Sequence, residues 1–181
     1  MTHPSFINQL DDHEPRWFAI HTRAKSEKMV WRQLNKKGVH AYVPLQRLLR
    51  RYAKSERWVE KPLIHGYVFV CITRAAYVSV LETEHVSGFV KFNKNLIAIP
   101  EAEINVLRRI TLEEGLVLEA IPGSLDAGDP VEVNAGGLTG LRGRVIRGDG
   151  RHRFQVELEH LGYSLLITVD AAFLQKTTQY E

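Results

Sequence analysis

The stretch GDPVEVNAGGLTGLRGRVIRGDG, residues 128–150, sets Gly128, Gly136, Gly137, Gly140 and Gly143 among the β-branched Val131, Val133 and Val145. Glycines so spaced either cradle a phosphate or let a very small β structure turn sharply. A phosphate-binding P-loop needs GxxxxGK[ST], and a dinucleotide fold needs GxGxxG between a strand and a helix. Neither pattern is present. Strand-like sequence lies on both sides, so these glycines are expected at positions needing positive φ or close backbone approach.

Outward from this stretch, the downstream sequence is all strand: PVEV, GRVI, RFQVELEHL, SLLITVD and a short AAFLQK. Five short strands in about fifty residues predict a small all-β barrel, closed so that edges are not exposed. The upstream order is different. RWFAIHT (16–22) reads as a strand and KSEKMVWRQLNKKG (25–38) as a helix with Val30, Trp31 and Leu34 on one face. VHAYVPL (39–45) is a second strand, followed by a hairpin over 46–61. HGYVFVCI (65–72) is apolar on both faces and so central. A helix over 74–85, a strand over 88–92 and a helix over 101–112 complete the series. The expected fold class is α+β: a ferredoxin-like α/β sandwich followed by a small SH3-like barrel. The expected domains are a flexible tail 1–15, a first domain 16–112, a linker 113–124 and a barrel 125–176.

Charge is unevenly placed. Residues 16–112 carry 18 Lys+Arg against 7 Asp+Glu, and residues 16–61 alone carry 13 against 3. Residues 125–176 carry 6 against 7. A basic field of this kind attracts polyanions, above all nucleic acid, although a solvated surface would use the same residues. Lys25, Lys28, Arg32 and Lys36 line one side of the first helix. Arg47, Arg50, Arg51, Lys54 and Arg57 fall in the hairpin, where Tyr52 or Trp58 either stacks on an unpaired base or packs beneath the strands. No apolar run approaches the ~18–20 residues of a membrane span. Cys71 is the single cysteine, which excludes an internal disulfide and fits a reducing cytosol. No catalytic arrangement and no metal-ligand spacing stands out, so neither enzyme activity, a metal nor a cofactor is expected.

GDPVEVNAGGLTGLRGRV resembles the KOW motif, carried here by Gly128, Asp129, Gly136, Gly140, Gly143 and Val145. RWFAIHTRAKSEKMVWRQL, VPL and KPLIHGYVFV resemble the NGN domain of NusG-type transcription elongation factors. The two in this order cover about residues 16–176. The sequence RHRFQVELEHLGYSLLITVDAAFLQK is similar to specialised members of the family, the UpxY-like antiterminators of polysaccharide operons.

The resemblance implies a cytoplasmic, monomeric elongation or antitermination factor acting without covalent chemistry. Its NGN domain would dock on the clamp helices of the largest RNA polymerase subunit through Trp17, Phe18, Ile64 and Tyr67. Its basic residues would lie near upstream or non-template DNA. In housekeeping members the KOW domain binds Rho or a small-subunit ribosomal protein. Where the family has Phe-Gly-Arg near the last strands, this chain has Leu161-Gly162-Tyr163. Where it has Pro-Gly-Tyr before the central strand, this chain has His65-Gly66-Tyr67. A general NusG factor and a ribosome-associated KOW protein are the competing functional readings.

Overall fold

The computed structural model describes residues 6–123, 128–148 and 151–177. The chain is a mixed α/β protein. In order it forms β1 Arg16–Thr22, α1 Glu27–Lys36, β2 His40–Tyr42, β3 Leu45–Tyr52, β4 Ser55–Pro62, β5 Tyr67–Ile72, α2 Tyr77–Leu81, β6 Val86–Phe89 and α3 Glu101–Leu112. Then follow β7 Leu118–Pro122, β8 Pro130–Val133, β9 Arg142–Gly148, β10 Arg151–Leu158, β11 Tyr163–Thr168 and β12 Leu174–Lys176. Two compact units result. One runs through Pro44 and includes Ile64–Ala102; the other holds Leu45–Leu63 and everything from Glu103 onward. The hairpin β3–β4 and nearly all of α3 therefore cluster with the C-terminal strands.

The first unit is built on a four-stranded sheet in the order β2-β5-β1-β6. β5 is antiparallel to both β1 and β2, and β6 is antiparallel to β1. Strands β1 and β2, joined through α1, thus run in the same direction with β5 between them. The central position expected for β5 follows from its composition, since Val68, Phe69, Val70 and Ile72 are all buried. α1 buries Val30 and Leu34, one turn apart, and Trp31 Nε1 donates to the carbonyl of Ala41 at 3.0 Å. Gly38, at φ +78°, ends the helix as the sequence predicts, with Val39 N donating to Leu34 O at 3.0 Å.

Three expectations shift here. β2 is only three residues long, because Pro44 has no N–H to continue a ladder. The helix predicted over 74–85 is a 3-10 turn followed by the five residues of α2, ending before His85 at φ +68°. Leu81, grouped with Tyr77 and Val80 by periodicity, remains partly exposed while Val80 is buried. The tail is also not loose where it is described. Gln9 N donates to Leu96 O at 3.0 Å, Ala98 N to Gln9 Oε1 at 2.7 Å and Arg74 Nε to Asp12 Oδ1 at 2.7 Å, while Leu10 is buried. Residues 1–5 lie outside the described residues.

The second unit carries a six-stranded antiparallel sheet in the order β12-β8-β9-β10-β11-β7. Its core includes Val131, Val133, Phe154, Leu158, Leu165 and Ile167. Residues 118–122, expected within a linker, pair along β11 from Tyr163↔Pro122 to Ile167↔Leu118. They add a sixth strand that a Pro- and Gly-ended segment did not advertise. Residue 124 of the expected linker and 125–127 of the expected barrel lie outside the described residues. The hairpin β3–β4 is a separate two-stranded sheet in the same unit. It is tied at its base by Gln46 Nε2 donating to Leu116 O at 3.2 Å and by Arg47 paired with Glu114 at 3.0 Å.

Candidate functional site

Strand alternation sorts the first unit's apolar residues onto two faces. Directly paired residues point the same way, so Trp17↔Cys71, Ala19↔Phe69 and His21↔Tyr67 share a face, joined by His40 and Tyr42 from β2. Phe18↔Val70 and Ile20↔Val68 point to the other. Phe18 therefore does not share a surface with Trp17 and Tyr67. It is 0% exposed, with its ring edge-on to Phe89, and it serves the core. Ile64 is buried as well.

The face bearing Trp17 and Tyr67 is aromatic along its length. Trp17 is itself nearly buried, its ring edge-on to exposed His40 at 4.9 Å. Tyr67 is half-buried and lies edge-on to exposed His21 at 4.7 Å. Tyr67 is positioned from behind by a feature that sequence reasoning did not single out. The preceding Gly66 takes φ +77°, a conformation that glycine adopts at little cost. Its N–H donates to the buried carboxylate of Glu27 at 2.7 Å, and its carbonyl accepts from Thr22 N at 2.9 Å. Glu27 thus supplies from α1 the rigidity that a proline would supply from position 65. An acidic residue in a helix's first turn usually answers the helix dipole, so its spacing alone gave no hint of this second task.

The predicted cations fall into two groups. In the first unit Lys25 precedes α1 at φ +62° and is exposed, Arg32 is exposed, and Lys28 is half-buried. In the second unit, Arg47, Arg50, Arg51, Lys54 and Arg57 are all exposed. Their register divides them. Arg50↔Arg57 and Tyr52↔Ser55 share one face with Gln46↔Lys61. Arg47↔Glu60, Leu49↔Trp58 and Arg51↔Glu56 share the opposite face. On that second face the charges are matched: Arg51 Nε lies 2.8 Å from Glu56 Oε1, and the Arg47 guanidinium sits 5.2 Å from the Trp58 ring centroid. Lys54 occupies the turn.

The glycine stretch answers to the expected geometry. Gly136 and Gly140 have φ of +78° and +83°. A Cβ on Gly128 would lie 2.9 Å from Val145 O, and one on Gly143 would collide with the Gln155 carbonyl and the Phe154 ring. A Cβ on Gly137 would overlap the Glu113 carboxylate. The loop turns carbonyls, not amides, toward its charged neighbour. Arg109 Nη2 donates to Gly137 O at 3.1 Å and to Thr139 O at 2.8 Å. An anion cradle presents N–H groups, so this arrangement is the reverse of a phosphate site. Arg109 and Glu113 were not legible as partners of the loop because they lie far from it along the chain, 28 and 30 residues in the case of the Arg109 bonds. Among the described residues, no group of three or more His, Cys, Asp or Glu side chains is placed to hold a metal. Among the same residues, no helix is long and apolar enough to cross a membrane.

The sequence model described as "NusG: Transcription termination factor nusG" matches residues 15–108, more than half of the chain. The chain belongs to the NusG family. This places it among non-enzymatic transcription factors. The fold of this NusG-family chain is similar to that of NusG from Thermotoga maritima, with a TM-score of 0.56, 20% identity, and coverage of 90% of this chain and 97% of that one. The MjSpt4:Spt5 complex in conformation B aligns at 21% identity over 91% of this chain and 99% of that chain, with a TM-score of only 0.32. No curated protein shows a significant sequence match.

Proposed function

We propose that this NusG-family chain is a transcription elongation factor that docks on the clamp helices of the largest RNA polymerase subunit and suppresses pausing or termination. In this reading residues 16–112 act as a ferredoxin-like NGN domain and residues 125–176 as an SH3-like KOW domain. The observation that carries it is the Tyr67–His21 ring pair on an aromatic sheet face, held in place by the Glu27–Gly66 bond, within the region that matches the family. A rigid, half-exposed tyrosine buries much area at small entropic cost, which is the character of an interface anchor. Trp17, nearly buried, shapes that surface more than it touches a partner, and Ile64 is buried in the core.

The mechanism is a population shift. A factor that binds the closed, elongating polymerase better than the opened, paused one favours the former by its differential affinity. Lys25, Lys28, Arg32 and the hairpin cations would meet upstream or non-template DNA in that complex. A cytoplasmic site of action follows from the partner. Rho or a ribosomal protein would be the KOW domain's partner, and long operons such as those for polysaccharide synthesis would be the setting. The test is co-elution of the purified chain with core RNA polymerase. Association is expected for the wild type and loss of tenfold or more for Tyr67→Ala, on the scale of an anchor truncation of about 2 kcal/mol. Wild-type protein that never co-elutes would end the proposal.

A further inference from the structure

The neutralised face of the β3–β4 hairpin is ordered by strand as well as by charge. Arg47, Leu49 and Arg51 of β3 lie opposite Glu60, Trp58 and Glu56 of β4, in three successive rows of that face. β3 therefore presents cation, apolar, cation, and β4 presents anion, aromatic, anion. All six residues are exposed. The middle row is the apolar one, with Leu49 43% and Trp58 53% exposed, so the Trp58 ring lies on the surface beside Arg47 and not beneath the strands. The hairpin forms a two-stranded sheet of its own. Such a ribbon is marginal in water unless one face packs on something, and a sheet ordinarily buries its apolar face against a second layer.

We propose that this face is a homodimer interface, covered by the same face of a second copy of the chain. A twofold axis lying between the two ribbons, parallel to their strands, sets each β3 over the β4 of the other copy. Arg47 then faces Glu60, Leu49 faces Trp58 and Arg51 faces Glu56 across the interface, and each contact occurs twice, as an isologous interface requires. A twofold axis perpendicular to the strands sets β3 over β3 and brings arginine over arginine and glutamate over glutamate. Charge order thus selects one of the two arrangements, with an apolar centre and a charged rim. Three rows about 7 Å apart on strands about 5 Å apart make a small patch. Interfaces burying less than about 1,200 Å² in total are weak, so the dimer is concentration-dependent and the monomer implied by the family resemblance is its dilute form. This association goes beyond the proposed function and makes no use of polymerase or nucleic acid.

The test is sedimentation velocity of the full chain from about 1 µM to about 200 µM, where the wild type is expected to pass from monomer to dimer with a Kd of about 10–100 µM. Trp58→Ala is expected to stay monomeric throughout, since it removes the centre of the interface. Arg47 is also tied to Glu114, so the Arg51–Glu56 row is the cleaner place to alter charge. Arg51→Glu and Glu56→Arg each set like charges across the interface twice, and each alone is expected to weaken association at least about tenfold. Mixed in equal amounts, the two variants should associate within about threefold of wild type, because every glutamate again faces an arginine. Misfolded variants would not recover on mixing, so the mixture separates repulsion between copies from damage within one. Arg50→Gln, on the opposite face, should dimerise as the wild type does. Three results would overturn the inference. The wild type could remain monomeric over the whole range, which would leave the Leu49–Trp58 pair to a different protein. A dimer could survive Trp58→Ala, which would place the contact elsewhere. The mixed variants could stay monomeric.

Discussion

Single residues hold the functional geometry through contacts that cost little to describe and much to remove. Glu27 is 4% exposed and accepts the Gly66 N–H. Glu27→Ala leaves that amide without its acceptor and is expected to destabilise the chain by about 1–3 kcal/mol in urea unfolding. It should also weaken the proposed polymerase association without touching the partner. Gly143 has the Gln155 carbonyl and the Phe154 ring where a side chain would begin. Gly143→Ala is expected to cost about 1–3 kcal/mol as overpacking, read as a lowered melting temperature. Asp11 accepts backbone N–H bonds from Glu14 and His13, and with Arg16 nearby these hold its carboxyl below the ordinary 3.8. A lowered folded-state value means the stabilisation is complete above 3.8 and is lost as pH falls through the folded value. An NMR titration should place the Asp11 midpoint below that of an unfolded peptide and show the Glu14 amide moving with it.

At the scale of elements, the hairpin and the glycine loop behave differently for one reason: what lies across from each residue. An isolated two-stranded hairpin is marginal in water, and β3–β4 gains its footing from Gln46 on Leu116 and Arg47 on Glu114. Removing either tie is expected to raise amide exchange along the hairpin while leaving the six-stranded sheet protected. The loop between β8 and β9 is closed by Arg109 from α3, with two carbonyls on one guanidinium. Arg109→Ala should speed exchange at Thr139 and Gly140 with a stability change under about 1.5 kcal/mol, since the side chain is exposed. Composition made both elements visible: strand-like ends around a turn-prone AKSER for the hairpin, spaced glycines for the loop. The shortening of β2 and α2 was less visible: β2 stops short of Pro44, and α2 gives way after Leu81 to a turn that ends at His85 in a left-handed conformation.

For the whole molecule, the proposed polymerase association combines an apolar anchor with cationic contacts, and salt separates them. Raising salt from about 0.05 M to about 0.3 M should erode the cationic part and spare the Tyr67 part, so that Tyr67→Ala remains defective at the higher salt while Arg50→Gln approaches wild type. Most element positions and the family were legible from the chain, because apolar period, glycine spacing and charge asymmetry are local properties that survive without coordinates. So was the reading of glycines as turn and close-approach residues. Other features needed the fold. Parity along β1 separates Phe18 from Trp17, but which partner strand lies beside it is a pairing decision. The hairpin's basic residues look like one patch in sequence, yet the register Arg50↔Arg57 and Arg51↔Glu56 divides them into an unmatched face and a neutralised one. The sequence by itself determined most of the strands and helices, though not β7 or the true length of α2, because that much follows from neighbours a few residues away. Only the tertiary structure decided which side chains face each other, because cross-strand register and the reach of Glu27, Arg109 and Glu113 join residues that are distant along the chain.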